Sequence, residues 1–258
     1  LKHMLLSIVF TCLLLAGSQA VLCHADDRTI PLRIATPEWK KQTNKDGTGL
    51  FFDIVRRVYE PEGIRLIIEF VPWKRAQAFV NRKYCDAMLC VWKEHAVQEN
   101  QIIPRYPMYV EHTAAVFKKG GIRPWNGIPS LNGKTVVWMR GYDYHLFDHF
   151  SQVKFKTFIE MDSYEKAWMQ LDKDRCQVYI DALIDMDNYI KEHRVDMSRY
   201  TKEMLWAEKA FIAFSQSKRS EKLVRIWDNR IQEIFKSGEL KAIYDNWEVT
   251  FYPEYWED

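Results

Sequence analysis

Four short stretches of this sequence place aromatic rings beside charged groups: Glu38-Trp39, Trp73-Lys74-Arg75, Trp92-Lys93 and Arg140-Gly141-Tyr142-Asp143-Tyr144. Each follows closely on an apolar run, and Asp181 lies near the end of a further run. Rings can stack on an apolar or planar molecule, and an arginine guanidinium can grip a carboxylate through two parallel hydrogen bonds. Backbone N–H groups after Gly141, if they open a helix, favour an anionic group. Each residue also has a plainer reading. Tryptophans fill cores and plug sheet edges, and Arg75 and Arg140 could be solvated or tied to helix ends.

Catalytic equipment is sparse by comparison. Asp181 and Glu38 could transfer protons, but no paired acid and base is visible. No Gly-x-Ser-x-Gly elbow, His-Glu-x-x-His or Walker loop occurs. His145 and His149 are four apart with Asp148 beside them, a spacing that can put two imidazoles on one metal. No third ligand accompanies them at motif spacing, so a solvated helix face is expected, with neither metal nor cofactor. The chain carries 37 basic and 35 acidic residues, dispersed, for a formal net charge of +2. Without a Lys/Arg block to track a phosphate backbone, nucleic acid is not an expected partner.

The elements that would hold these groups alternate. Residues 29–35 read as a strand, 50–59 as a helix with apolar positions at 51, 54, 55 and 58, and 66–71 as a second strand. A helix begins at Pro72-Trp73, and 85–91 reads as a third strand. The pattern restarts with a strand at 134–139, a helix starting over 144–150, a strand at 155–159, a helix at 163–171 and a strand at 176–183. A strand at 210–215 and two final helices follow, the first with Leu223, Ile226, Trp227, Ile231, Ile234 and Phe235 on one stripe. Such alternation argues for parallel sheets flanked by helices. A constant offset of 91 lays Arg75-Ala76 on Lys166-Ala167, Val80 on Leu171, Cys85 on Cys176 and Leu89 on Ile180. Only Ala and Cys are identities there, yet the match supports two lobes built on one plan.

Residues 1–25 read as a cleavable export leader. A basic start at Lys2-His3 precedes an apolar run over 5–16 that is too short to span a bilayer, and Cys23-His24-Ala25 offers a cleavage site before Asp26-Asp27. Three cysteines remain, Cys85, Cys90 and Cys176. Cys85 and Cys90 fall in one apparent strand pointing to opposite faces, so three buried thiols are expected.

Several local patterns, taken in order, are similar to those of the extracellular solute-binding proteins of family 3, the polar amino-acid receptors of bacterial uptake systems. They are Gly49-Leu50-Phe51-Phe52-Asp53-Ile54-Val55, Cys85-Asp86-Ala87-Met88-Leu89, Tyr106-Pro107-Met108-Tyr109, and Ser130-Leu131-Asn132-Gly133-Lys134-Thr135-Val136. The last runs from Lys236-Ser237-Gly238 through Ile243-Tyr244 to Trp247. Pro72-Trp73-Lys74-Arg75-Ala76 resembles a branch of that family. The resemblance implies a two-lobed α/β periplasmic-binding-protein-like fold of type II, each lobe a mostly parallel sheet flanked by helices, joined by two crossovers. Lobe 1 would be residues 26–109 and 214–258, and lobe 2 residues 110–213. It further implies a monomeric periplasmic receptor that closes on an amino acid or a related carboxylate or amine, for an ABC-type permease or a sensor. Since ligands of open α/β sheets sit beyond the carboxyl ends of strands, the expected contacts are Glu38, Trp39, Trp73, Arg75, Trp92, Tyr109, Arg140, Tyr142 and Asp181. One departure stands out. The receptors' carboxylate-clamping arginine after the third strand is missing from 91–99, and Ala182 occupies the place of their amine-binding acid, with Asp181 adjoining it. Arg140 or Arg75 is the expected substitute clamp. The alternative implied by the same resemblance is an enzyme on this scaffold, similar to the cyclohexadienyl dehydratases.

Overall fold

The computed structural model describes residues 29–257; the expected leader lies outside them. Eight strands form one sheet in the order β2-β1-β3-β8-β4-β7-β5-β6. Strands β1 (Ile30–Thr36), β2 (Ile64–Phe70) and β3 (Ala87–Trp92) are mutually parallel about β1, and β5 (Thr135–Met139), β6 (Thr157–Met161) and β7 (Val178–Ala182) repeat that arrangement about β5. The two parallel groups are joined by β4 (Tyr109–Lys118) and β8 (Tyr200–Phe214), which pair antiparallel with each other over their length. β8 also pairs with β3, and β4 with β7.

Helices cover the sheet for reasons readable in sequence. In α1 (Leu50–Tyr59) the buried positions are 50–52, 54, 55, 58 and 59, a helical stripe laid against the sheet. Gly49 before it has φ 137°, and a Cβ there would sit 2.3 Å from the Gln42 carbonyl oxygen, so only glycine fits. α2 (Trp73–Asn81) starts behind Pro72, and α4 (Tyr164–Asp172) behind Ser163, whose hydroxyl accepts from Lys166 N. α3 (Lys93–Gln98) and α5 (Leu183–His193) follow β3 and β7 directly. The offset of 91 therefore extends through whole elements: α2 maps onto α4 end to end, and Ala87 of β3 onto Val178 of β7.

The chain's end returns to the first group of strands. α6 (Lys218–Lys236) buries Leu223, Trp227, Ile231 and Ile234, as its stripe predicts. Tyr59 OH donates to the Leu223 carbonyl at 2.9 Å, and Trp247, just after α7 (Glu239–Asn246), donates its indole N–H to Asp53 at 2.7 Å. Tyr244 OH and the Trp256 indole N–H donate to the carbonyls of Met108 and Pro107, anchoring the segment that enters β4. Each such buried aromatic contributes a few kcal/mol through burial alone, roughly 1.5–3 on a transfer scale.

Four expectations need correcting. The strand expected at 210–215 runs from 200, because residues 200–210 pair antiparallel with β4, with Lys202 and Met204 exposed on one face. Residues 144–150 form two three-residue 3₁₀ turns, Tyr144–Leu146 and Asp148–Phe150, and no α-helix; Asp143, with φ 50°, breaks the chain direction before them. The Gly141 N–H that a helix start would leave for an anion is already taken by Glu160 at 2.9 Å. Cys85 precedes β3, so it and Cys90 do not share a strand; all three thiols are free and buried. Among the described residues, no helix is long and apolar enough to cross a membrane.

Candidate ligand-binding cleft

The two parallel groups of strands point their carboxyl ends at each other, and the residues that follow those ends meet. Trp39, after β1, donates its indole N–H to the Tyr142 hydroxyl at 3.2 Å. Lys74 pairs with Asp143, and Lys40 with Glu192 at 2.7 Å. The Trp92 ring lies 4.9 Å from Phe147 and stacks on Tyr144 at 5.9 Å between centroids. This is a closed arrangement. Gly141, with φ 84°, packs so tightly on Lys74 that a Cβ would lie 2.9 Å from its Cγ.

Between the halves lies a narrow cavity walled by Trp39, Trp73, Trp92, Tyr142, Tyr144 and Phe147, with Gln42, Cys90, His95, Glu111, Ala182 and Asp185. That lining, mostly rings with a few polar groups, is the composition of a small-molecule site. Trp39 and Trp73 pack on each other at 5.8 Å, and Trp73 meets His95 edge-on. An outer vestibule shares Trp39, Trp73 and Tyr142 with the cavity, so these three rings divide the two spaces.

Two carboxyl groups, Glu111 and Asp185, line the cavity beside Gln42, His95 and the two tyrosines. Cys90 sits at a β-bulge with φ 58°, a left-handed conformation rare outside glycine, and its thiol donates to Glu111 on β4 at 3.3 Å. Burial pushes the Glu111 carboxyl up to about 8, with Asp185 and Glu208 adding in the same direction. Burial likewise lifts Asp185 to about 7, opposed by a hydrogen bond with Tyr164. Asp181 is fully buried behind the wall, accepting from Tyr179 OH and from Ala182 N, and is raised well above the carboxylate range by burial and by Asp185. His95 is bonded to Gln77 at 2.5 Å, and burial lowers its pKa, so it is neutral at pH 7. Among the described residues, no lysine or arginine lines this cavity. Two buried donors on its wall, the Trp73 indole N–H and the Tyr144 hydroxyl, have no partner among the described residues.

The expected contact residues are distributed accordingly. Trp39, Trp73, Trp92 and Tyr142 converge on the cavity, while Glu38 and Arg140 line the vestibule. Arg140 is exposed and turned to Asp162 at 2.6 Å and Glu160 at 3.6 Å. Arg75 is exposed on α2 and lines neither space, and Tyr109 stacks on Tyr244 beside the cavity. Sequence reasoning missed Glu111, Asp185, His95 and Cys90. Asp185 falls one helical turn past Ala182, a signal that could have been weighed; an acid at 111 inside an apolar strand offered none. His145 and His149 lie on separate turns and not on one helix face: His145 stacks on Trp138 and Phe158, and His149 on Trp206. No group of three metal-ligating side chains converges among the described residues.

Known structures share this architecture. An ABC uptake transporter substrate-binding protein from Streptococcus pneumoniae with bound histidine is 17% identical, with a TM-score of 0.68 over 84% of this chain and 92% of its own. The GluR0 ligand-binding core from Nostoc punctiforme in complex with L-glutamate is 15% identical, with a TM-score of 0.68 over 84% and 99%. A histidine kinase sensor domain with similarity to periplasmic binding proteins is 16% identical, with a TM-score of 0.69 over 86% and 97%. No curated protein sequence matches the chain. The model of the bacterial extracellular solute-binding proteins, family 3, matches residues 32–250, and the chain belongs to that family.

Proposed function

We propose that this chain is a periplasmic receptor that traps one small polar solute between its two halves and delivers it, chemically unchanged, to an ABC-type permease or a sensor protein. The observation that carries this reading is the closed, ring-walled cavity bridged by the Trp39–Tyr142 hydrogen bond. Binding energy spent across such a gap biases a hinge toward closure. Lobe 1 is residues 26–109 and 214–258, lobe 2 is residues 110–213, and β4 and β8 are the crossovers. Trp39, Trp73, Trp92 and Tyr142 touch the solute, and Glu38 and Arg140 guard the vestibule. Permease and sensor both remain as recipients, since the similar structures include a transporter's binding protein and a kinase sensor domain.

A thermal-shift screen over amino acids, organic acids and amines tests the reading. A bound solute at a hundred times its Kd adds about 2.7 kcal/mol of stability, and small-angle scattering should show the radius shrinking with the same compound. A second reading, a dehydratase-like enzyme, draws on Glu111 and Asp185, whose pKa values near neutrality suit acid–base work. Quantitative recovery of the intact solute after long incubation discards it.

A further inference from the structure

We propose that the solute is a small organic cation without a carboxylate, its charged nitrogen seated between Glu111 and Asp185 inside the cage of tryptophan and tyrosine rings. This deepens the receptor reading and rests on it. A ligand carboxylate entering the cavity would meet two carboxyl groups and no cationic side chain. The arginines able to clamp it lie elsewhere: Arg140 is held outward by Asp162 and Glu160, and Arg75 lines neither space. A cation meets the reverse. Trp39, Trp73, Trp92, Tyr142 and Tyr144 present rings whose faces attract positive charge, the arrangement that recognises alkylammonium groups. The partnerless Trp73 N–H and Tyr144 hydroxyl can meet a neutral polar end of the same molecule, and the hydroxyl can accept as well as donate.

Below about pH 7 the empty cleft holds both acids largely protonated, and a cation changes that. Glu111 is faced by Cys90 from β3, Glu208 from β8 and Asp185 from α5, and Asp185 by Tyr164 from α4 and Asp181 from β7. None of these supplies a positive charge, so the ligand's charge favours ionisation and binding releases a proton to solvent. Affinity then rises by up to tenfold per pH unit between pH 6 and 8 for each proton released.

Calorimetry on the whole chain tests this, using tetramethylammonium, 1,4-diaminobutane and histamine against glutamine, glutamate and succinate. At least one of the three cations should bind, with a heat that depends on the buffer's own ionisation enthalpy. Glu111→Gln should weaken it at least about thirtyfold, the loss expected when one partner of a buried charge pair is removed. Gln mimics the protonated acid, so E111Q should fold with unchanged or higher stability in the absence of solute. Asp185→Asn provides a second variant with the same expectation. If the carboxylate compounds bind and the cations do not, or if cation binding ignores both substitutions, the inference is overturned while the receptor stands. If neither set binds at millimolar concentration, both fall.

Discussion

Raising the pH should loosen the solute-free protein, and Glu111 sets the size of the effect. Its carboxyl ionises at 4.5 in an unfolded chain but is held to about 8 in the closed cleft. Between those values the folded protein holds one proton more than the unfolded chain. Stability is therefore fully present below about pH 4.5, falls by about 1.4 kcal/mol per pH unit above it, and has been lost once pH passes about 8. From pH 5.5 to 7.5 the loss is about 3 kcal/mol, roughly 6–12 °C in Tm for a chain of this size. Asp185, lifted to about 7, adds in the same direction up to that pH. Buried His95 and half-buried His112 have pKa values lowered by loss of solvent and oppose the trend below about pH 6.5. Comparison of wild type with E111Q cancels both of these contributions. Swinging the halves apart re-solvates Glu111, so part of the loss is expected as a larger scattering radius and not as unfolding. Scanning fluorimetry and small-angle scattering at pH 5.5, 6.5 and 7.5 read both outcomes. Parallel Tm profiles for the two proteins, together with a radius that does not change with pH in either, would refute the reasoning.

Three further outcomes are expected. Tyr142→Phe removes the acceptor of the Trp39 indole across the gap; a net hydrogen bond of about 0.5–1.5 kcal/mol predicts affinity two- to twelvefold weaker by calorimetry, with Tm nearly unchanged. Arg140→Ala should alter affinity less than about threefold, because its exposed ion pairs point away from the cavity; a hundredfold loss would make it the carboxylate clamp. Cys90 lines the cavity, whereas Cys85 and Cys176, with pKa values pushed up to about 11 and about 12, are buried elsewhere. A thiol reagent should reach Cys90 only when the cleft opens, so bound solute should slow its labelling and leave the other two unaffected, as peptide mass spectrometry would show.

What the sequence made legible was governed by locality. α1 and α6 announce themselves because their apolar positions repeat within a few residues, and β3 because its residues form an unbroken buried run. The family follows from the same local patterns, from Gly49 before α1 to Gly238 before α7, and residues 32–250 match its model. Nothing local marks residues 200–209 as strand, since their charged positions are tolerable only opposite β4. Glu111 is the sharper case. In isolation, an acid two residues into an apolar strand looks like the solvent-facing member of an alternation. Its place in the cleft depends on the register of β4 against β8 and on the bulge that aims Cys90 at it, both long-range facts.

The offset of 91 carries this one step further, because it compares what each half contributes at equivalent places. Trp73 opens α2 and Tyr164 opens α4 at matching positions, one a bare ring on the cavity wall, the other a hydroxyl that bonds Asp185. Cys90 in β3 corresponds to Asp181 in β7, so where the first half places a thiol that donates to Glu111, the second places a buried acid that repels Asp185. The same backbone plan thus supplies rings from both halves, Trp39, Trp73 and Trp92 from the first and Tyr142, Tyr144 and Phe147 from the second, while the carboxyl groups are Asp185 of the second half and Glu111 on the strand between. Only closure, by expelling water from between rings and acids together, makes a place where a positive charge is worth more than it is in water. That difference is the free energy a hinge receptor needs to couple binding to shape. It also explains why the residues that matter most here are separated in sequence by 74 positions, from Glu111 to Asp185, and share no motif.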